Sequence, residues 1–340
     1  MSLTESLLSG DRRALARMIT QVENREAGAS EALAALYAHT GRAHRIGITG
    51  APGSGKSTLV NVLARVIRQA ELTVGIIAVD PTSPFSGGAI LGDRIRMRDL
   101  AGDPGIFIRS MASRGSLGGL ASATADVAHL LDAAGYDIVL IETVGAGQSE
   151  VDIARHAHTV VVIEAPGMGD DVQAIKAGIL EIADVLVVNK ADDPRADNTF
   201  RALRAALELA GGPVGWVAHH GELMDYALPE EFARRVDGWE VPIHKTIATQ
   251  GDGVPAVWEA IQAHRGYLES SGELRRREHV RTAAELDRLL RGALLARLLA
   301  QLDPEQIAGT IERVLARKLE PHAAVDLLLQ QSAMREGEKK

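Results

Sequence analysis

The sequence predicts a doubly wound α/β domain with a mostly parallel sheet, preceded by a helical lead-in and followed by a helical extension. Three observations carry this. Between His44 and about Leu268, short apolar runs alternate with longer amphipathic stretches. The apolar runs are continuous, as strands buried on both faces require. The residues suited to chemistry fall just after those runs, where the ligand crevice of such a sheet opens.

The elements follow in order. Residues 1–43 place Leu7, Leu8, Leu15, Met18, Ile19 and Val22, then Leu33, Leu36 and Tyr37, at helical spacing. Ser30 is the expected N-cap of the second of these stretches. Seven strand-like runs come next: "RIGIT" (45–49), "TVGIIAV" (73–79), "GIFIR" (105–109), "YDIVLIE" (136–142), "TVVVIEA" (159–165), "DVLVVNK" (184–190) and "VPIHKTIA" (241–248). Residues 269–340 return to helical spacing. Leu286, Leu289, Leu290, Leu294 and Leu298 form one stripe, and Ile307, Ile311, Val314, Leu315 and Leu319 form another. Asp303-Pro304 signals a helix start. A third short stretch, "AAVDLLLQQ", follows Pro321. This region holds more leucine than a small unit can hide. Packing against the main domain and a contact with a second copy both account for it. The expected division is 1–43, 44–268 and 269–340.

Composition narrows the function classes. A chain of 340 residues with 46% hydrophobic and 24% charged residues is an ordinary globular protein. A net charge of −8 argues against a general affinity for nucleic acid or anionic membrane. The absence of cysteine excludes disulfides, thiolate nucleophiles and Cys-ligated metals. The first residues lack the pattern of a signal peptide, and the longest apolar runs are too short to span a bilayer. A soluble, cytoplasmic protein is expected.

One stretch carries most of the chemistry. Gly50, Ala51, Pro52, Gly53, Ser54, Gly55, Lys56 and Ser57 match G-x-x-x-x-G-K-[ST], between an apolar strand and an amphipathic helix that continues through Thr58. Glycines let the backbone curl so that several N–H groups face phosphates, and the helix N-terminus adds its positive end. Lys56 is placed to bridge the β- and γ-phosphates, and the Ser57 hydroxyl to ligate Mg²⁺.

"VVNKAD" identifies the base. Asn189, Lys190 and Asp192 follow a buried strand. Guanine presents two donors on one edge, N1–H and the 2-amino group, and the Asp192 carboxylate accepts both. Adenine leaves that carboxylate unpaired. The nucleotide is GTP or GDP.

In "LIETVGAGQSE", Glu142 ends a strand and Gly145 follows three residues later, a pattern suited to sensing the γ-phosphate. Asp80, in "AVDPTSP", and Asp93, in "AILGDRIRM", are two further candidates for the metal. Gln148 and Arg96 lie in candidate switch segments, with no evident catalytic glutamine or arginine finger in the usual place. His156 and His158, His219 and His220, and His244 lack the thiolate or acidic company of a tight metal site, and structural roles are expected for them.

Together "GITGAPGSGKSTLVN", "AVDPTSPFSGGAILGDRIRM", "DIVLIETVGAGQSEVDIA" and "VVNKAD" closely resemble the MeaB/ArgK family, P-loop GTPases of the SIMIBI class. The resemblance implies a chaperone of an adenosylcobalamin-dependent acyl-CoA mutase, typically methylmalonyl-CoA mutase. It implies homodimerisation through the C-terminal helices. It also implies metal-associated roles for Asp80, Asp93 and Glu142, with Asp93 in the first switch and 142–150 as the second. The segment "PGMGDDVQAIK" (166–176), with Asp170, Gln173 and Lys176, resembles a loop coupling nucleotide state to the partner. Residues 212–240 are longer and more polar-aromatic than the family pattern. In "TIATQGDG", Ile247 replaces a serine, leaving the Ala248 N–H as the expected base contact. A nickel-type metal-insertion GTPase and a kinase acting on a transport protein are the alternatives. The first calls for a His-rich or Cys-containing motif, the second for an acceptor docking site, and neither is evident.

Overall fold

A computed structural model describes residues 2–80, 98–100, 102–112, 123–143, 153–167, 179–209 and 238–338. The seven apolar runs become seven strands: β1 His44–Gly50, β2 Val74–Asp80, β3 Ile106–Ala112, β4 Ile138–Thr143, β5 Thr159–Glu164, β6 Val185–Asn189 and β7 Ile243–Thr246. They form one sheet in the order β3-β2-β4-β1-β5-β6-β7, and every neighbouring pair is parallel. Strands β4, β5 and β6 are buried at every position, which is why their sequences run apolar without alternation. The order reverses around β1, so the chain leaving β1 enters the crevice at the switch point.

The described helices are α1 Leu3–Leu8, α2 Arg12–Asn24, α3 Ala29–Tyr37, α4 Lys56–Gln69, α5 Ala123–Ala133, α6 Ala196–Leu209, α7 Val254–Ser271, α8 Glu273–Gln301, α9 Pro304–Leu315 and α10 Pro321–Glu338. On one face of the sheet, Leu15, Met18, Ile19 and Leu36 of the lead-in join Val127 and Leu131 of α5 over Ile77, Val139 and Ile141. On the other, Leu59, Leu63 and Ile67 of α4 and Val257 and Ile261 of α7 cover Ile46, Ile48, Ile76 and Leu140. Each fully buried side chain of this kind stabilises the fold by about 1.5–3 kcal/mol.

Side-chain caps explain several of the helix starts. Asp11 accepts from the N–H groups of Arg13 and Ala14 at the head of α2. Ser30 is not a cap. Helix α3 starts from Gly28, whose φ of +86° is open to glycine, and Ser30 already lies in the first turn.

The chain divides into two compact units, Met1–His219 with Phe232–Arg277, and His220–Glu231 with Glu278–Lys340. In the second unit Asp303 caps α9 in a reciprocal box with Gln306, and Pro304 occupies the first turn, as the sequence predicts. Leu286, Leu289, Leu294, Leu295, Leu299, Ile311 and Leu315 are exposed. Among the described residues, no helix is long and apolar enough to cross a membrane.

Candidate nucleotide site

The site is built where β1 ends and α4 begins. Gly50 has φ +137°, and a Cβ there would lie 2.0 Å from the carbonyl oxygen of Ile163 on β5. Gly55 has φ +94°, and its Cβ would meet the Asn189 amide at 2.3 Å. Backbone conformation and close approach both demand glycine at these positions. Lys56, only 6% exposed, opens α4. Its ammonium donates to the carbonyls of Gly50 (2.8 Å) and Ala51 (2.9 Å), which hold the positive charge over the loop.

Strand register brings the next group in. β1 and β4 are parallel neighbours with Ile48 opposite Glu142, so the last residues of β4 stand beside the loop. The Ser57 hydroxyl donates to Glu142 Oε1 at 2.5 Å, and one step away the Thr143 and Thr49 hydroxyls meet at 3.1 Å. Hydroxyl and carboxylate form an all-oxygen donor pair, the hard set that suits Mg²⁺. Asp80 ends β2 at the same end of the sheet, since Ala78 pairs with Glu142 and Val79 with Thr143. The side chain of Asp80 is outside the described residues, as are Asp93, Arg96, Gly145, Gln148, Asp170, Gln173, Lys176, His219 and His220.

The turn that carries Asn189, Lys190 and Asp192, the candidate base reader, follows β6. Asn189 is buried, donates through Nδ2 to the Ser54 carbonyl at 2.8 Å, and accepts through Oδ1 from the Thr246 hydroxyl (3.0 Å) and the Ala248 N–H (3.1 Å). The Ala191 N–H donates to the Thr246 carbonyl at 3.0 Å, so the turn is also tied to β7 through its backbone. Lys190 takes φ +56° and, like Asp192, is exposed. Asp193 completes the turn. Its carboxylate, hydrogen-bonded by the Arg195 guanidinium and backbone N–H, is held down at about 2.

The sequence misses Thr246, which joins the base-reading turn to the phosphate loop through Asn189. Its only trace there is a hydroxyl at the end of the last strand. His156 and His158 take no part in the site. His158 is buried and accepts from the Arg45 N–H through Nδ1 at 3.0 Å.

A family model described as methylmalonyl-CoA mutase-associated GTPase MeaB matches residues 15–303. The chain belongs to the MeaB family. This MeaB-family protein is 46% identical to a putative GTPase of Pyrococcus abyssi, over 97% of this chain and 95% of the relative. It is 32% identical to the mouse mitochondrial methylmalonic aciduria type A homolog, over 84% of this chain and 64% of that protein. A solved structure of a LAO/AO transport system kinase aligns with TM-score 0.67 and 28% identity, covering 96% of this chain and 95% of the other. The MeaB-family chain is thus a P-loop GTPase. Its nucleotide-binding end lies at the carboxyl ends of β1, β4 and β6, as the fold requires.

Proposed function

We propose that this GTPase regulates an adenosylcobalamin-dependent acyl-CoA mutase, with methylmalonyl-CoA mutase the first candidate. Its nucleotide state would gate the entry of intact cofactor and the exit of damaged cofactor. The match to a mutase-associated GTPase family over residues 15–303 carries this reading. The mouse relative, named for methylmalonic aciduria, supports it.

In the same reading Lys56 and the backbone N–H groups of Ala51, Gly53, Ser54, Gly55, Ser57 and Thr58 take the phosphates, with Pro52 shaping the loop without an N–H of its own. Ser57, Asp80, Asp93 and Glu142 would hold Mg²⁺, which would supply positive charge to the nucleotide's phosphates. Gly145 meets the γ-phosphate through its N–H. The Ser57–Glu142 hydrogen bond sets both oxygens side by side. The sequence offers no evident catalytic glutamine or arginine finger, so intrinsic turnover would be slow and the partner would accelerate it.

Asp192 reads the N1 and 2-amino edge of guanine. Replacing it by Asn sets a donor against the amine and is expected to weaken GDP binding by about 1–3 kcal/mol. Xanthine carries a carbonyl at C2, which the new amide can serve, so Asp192→Asn should gain affinity for xanthosine nucleotides. Dissociation constants for both nucleotides on both proteins decide it. An unchanged preference for guanine would remove Asp192 from the base site.

Homodimerisation through residues 269–340 accounts for the exposed leucines of α8, because a solvated apolar stripe of this length is normally covered by a partner. Light scattering of the full chain should give a dimer, and a chain ending at residue 277, where the first compact unit ends, a monomer that still binds GDP. Adding the partner mutase should raise GTP turnover. A monomeric full chain at micromolar concentration would sink the dimer. Turnover unmoved by every candidate mutase would sink the regulatory role.

The likeness to a LAO/AO transport system kinase favours a second reading, phosphoryl transfer to a protein acceptor. Phosphate release measured with and without that acceptor separates the two. Phosphate on the acceptor identifies a kinase, and free phosphate a GTPase.

A further inference from the structure

We propose that Arg195 is a positioning residue for guanine reading: its guanidinium splints the turn that carries Asp192 and seats that splint against Gly167, just after β5. The proposal rests on Asp192 as base reader and goes beyond it. Asp192 is exposed, so the aim of its carboxylate is inherited from the backbone on either side. That backbone is a tight turn, closed by the Asp193 N–H on the Lys190 carbonyl at 3.0 Å, with Lys190 at φ +56°. On the near side of Asp192 the Ala191 N–H holds the turn to the Thr246 carbonyl at 3.0 Å. On the far side Arg195 holds it. Nε and Nη2 donate to the two oxygens of Asp193 at 3.0 and 2.7 Å, and the Arg195 backbone N–H reaches Oδ1 at 2.9 Å.

The splint is fixed to more than its own turn. Gly167 has φ +75°, and a Cβ there would stand 2.4 Å from Nη1 and 2.7 Å from Cζ and Nη2 of Arg195. The guanidinium therefore fills the space that a side chain at 167 would need. Strand β5 also backs the phosphate loop, since a Cβ on Gly50 would meet the Ile163 carbonyl oxygen. Arg195 thus ties the Asp192 turn to the strand on which the phosphate loop rests. Asp192 has to meet two donors on one flat edge at once, and a hydrogen bond weakens steeply as its angle degrades. A planar fork with parallel donors holds the neighbouring carboxylate in one orientation, which a lysine ammonium does not. The Arg195 side chain is 63% exposed, and exposed ion pairs add little to stability. The consequence should therefore appear in base preference and not in Tm.

The experiment is equilibrium binding of GDP and of inosine diphosphate, which lacks the 2-amino group, to the full chain and to Arg195→Ala, Arg195→Lys and Asp193→Ala. The wild type should prefer GDP at least about tenfold, as expected for a hydrogen bond to a charged group. In Arg195→Ala that preference should shrink about threefold, within what an exposed ion pair is worth, with Tm unchanged. Arg195→Lys keeps the charge and loses the fork, so it should behave like Arg195→Ala. Asp193→Ala should shrink the preference to the same degree, and the double variant Asp193→Ala with Arg195→Ala no further, because one bridge is lost only once. An undiminished preference in Arg195→Ala would overturn the proposal. So would an equal loss for both diphosphates that Arg195→Lys avoids, since Arg195 would then serve only as positive charge for the phosphates. A wild type that binds both diphosphates alike would instead overturn the reading of Asp192 itself.

Discussion

Lys56→Ala is expected to lower GTP turnover about 100- to 1,000-fold at saturating nucleotide, the range seen when one preorganised stabilising donor is removed from a transition state. The structure explains why the loss should be this large. The ammonium is held by the Gly50 and Ala51 carbonyls, so it needs no reorganisation to meet charge developing on the transferring phosphoryl group. Replacement by alanine also takes the cation from two carbonyl oxygens turned toward it, and the loop should loosen. Diphosphate affinity should therefore fall too, though by less than turnover. Arginine should not rescue. Its planar fork is larger than the ammonium that fits a position only 6% exposed. Single-turnover phosphate release on a variant with wild-type thermal stability is the measurement. Near-normal turnover would remove Lys56 from the catalytic group.

What could be read in the sequence follows from what is local. The seven strands are legible because each is a continuous apolar run, and β4, β5 and β6 are buried throughout. The phosphate loop is legible because glycine, lysine and serine at fixed offsets serve one compact turn, and Gly50 and Gly55 prove to be forced by backbone and neighbours. Asp303-Pro304 is legible because a cap and its helix are adjacent in sequence. Ser30 misleads for a related reason. Two residues near a helix start can both cap it, and the left-handed glycine at 28 wins. Pairings across the chain leave no such trace. Thr246 reaches Asn189 across 57 positions, and neither residue's neighbours announce the other. That Asn189 is enclosed while Asp192 stands open to solvent is a fact of tertiary burial that "VVNKAD" does not contain.

The same limit hides the polar network at the opposite end of the sheet, where the largest loss of stability is expected. Asp184, just before β6, is buried. Its carboxylate accepts from the Val160 N–H at 2.8 Å and from Arg277 Nη1 and Nη2 at 3.0 and 2.9 Å, and His264 Nε2 lies 3.2 Å away. Arg277, in the second turn of α8, donates also to the His158 carbonyl at 2.9 Å. His264 Nδ1 meets the Thr159 hydroxyl at 2.8 Å, and that hydroxyl meets His44 at 2.9 Å. Burial alone would raise the Asp184 carboxyl, but the Arg277 guanidinium and His264 reverse this and hold it well below the usual carboxylate range. Arg277→Met keeps much of the stem packing and leaves the carboxylate without its main counter-charge. The expected cost is about 3–5 kcal/mol, a fall in Tm on the order of 10 °C. Asp184→Asn combined with Arg277→Met leaves neither charge behind and should be more stable than Arg277→Met alone. The pH dependence has a definite sign. With a folded pKa below the unfolded value of about 3.9, the wild-type pair contributes fully above that pH, and its contribution fades as pH falls through the lowered pKa. In Arg277→Met the balance of burial and counter-charge shifts toward burial, so the Asp184 pKa rises and protonation relieves the variant. The stability gap between wild type and variant should therefore be widest near neutrality and close on acidification. Denaturant unfolding of both proteins at pH 7 and near pH 4 measures that gap. A gap of equal size at the two pH values would mean that Arg277 stabilises this end of the sheet by packing and not by its charge.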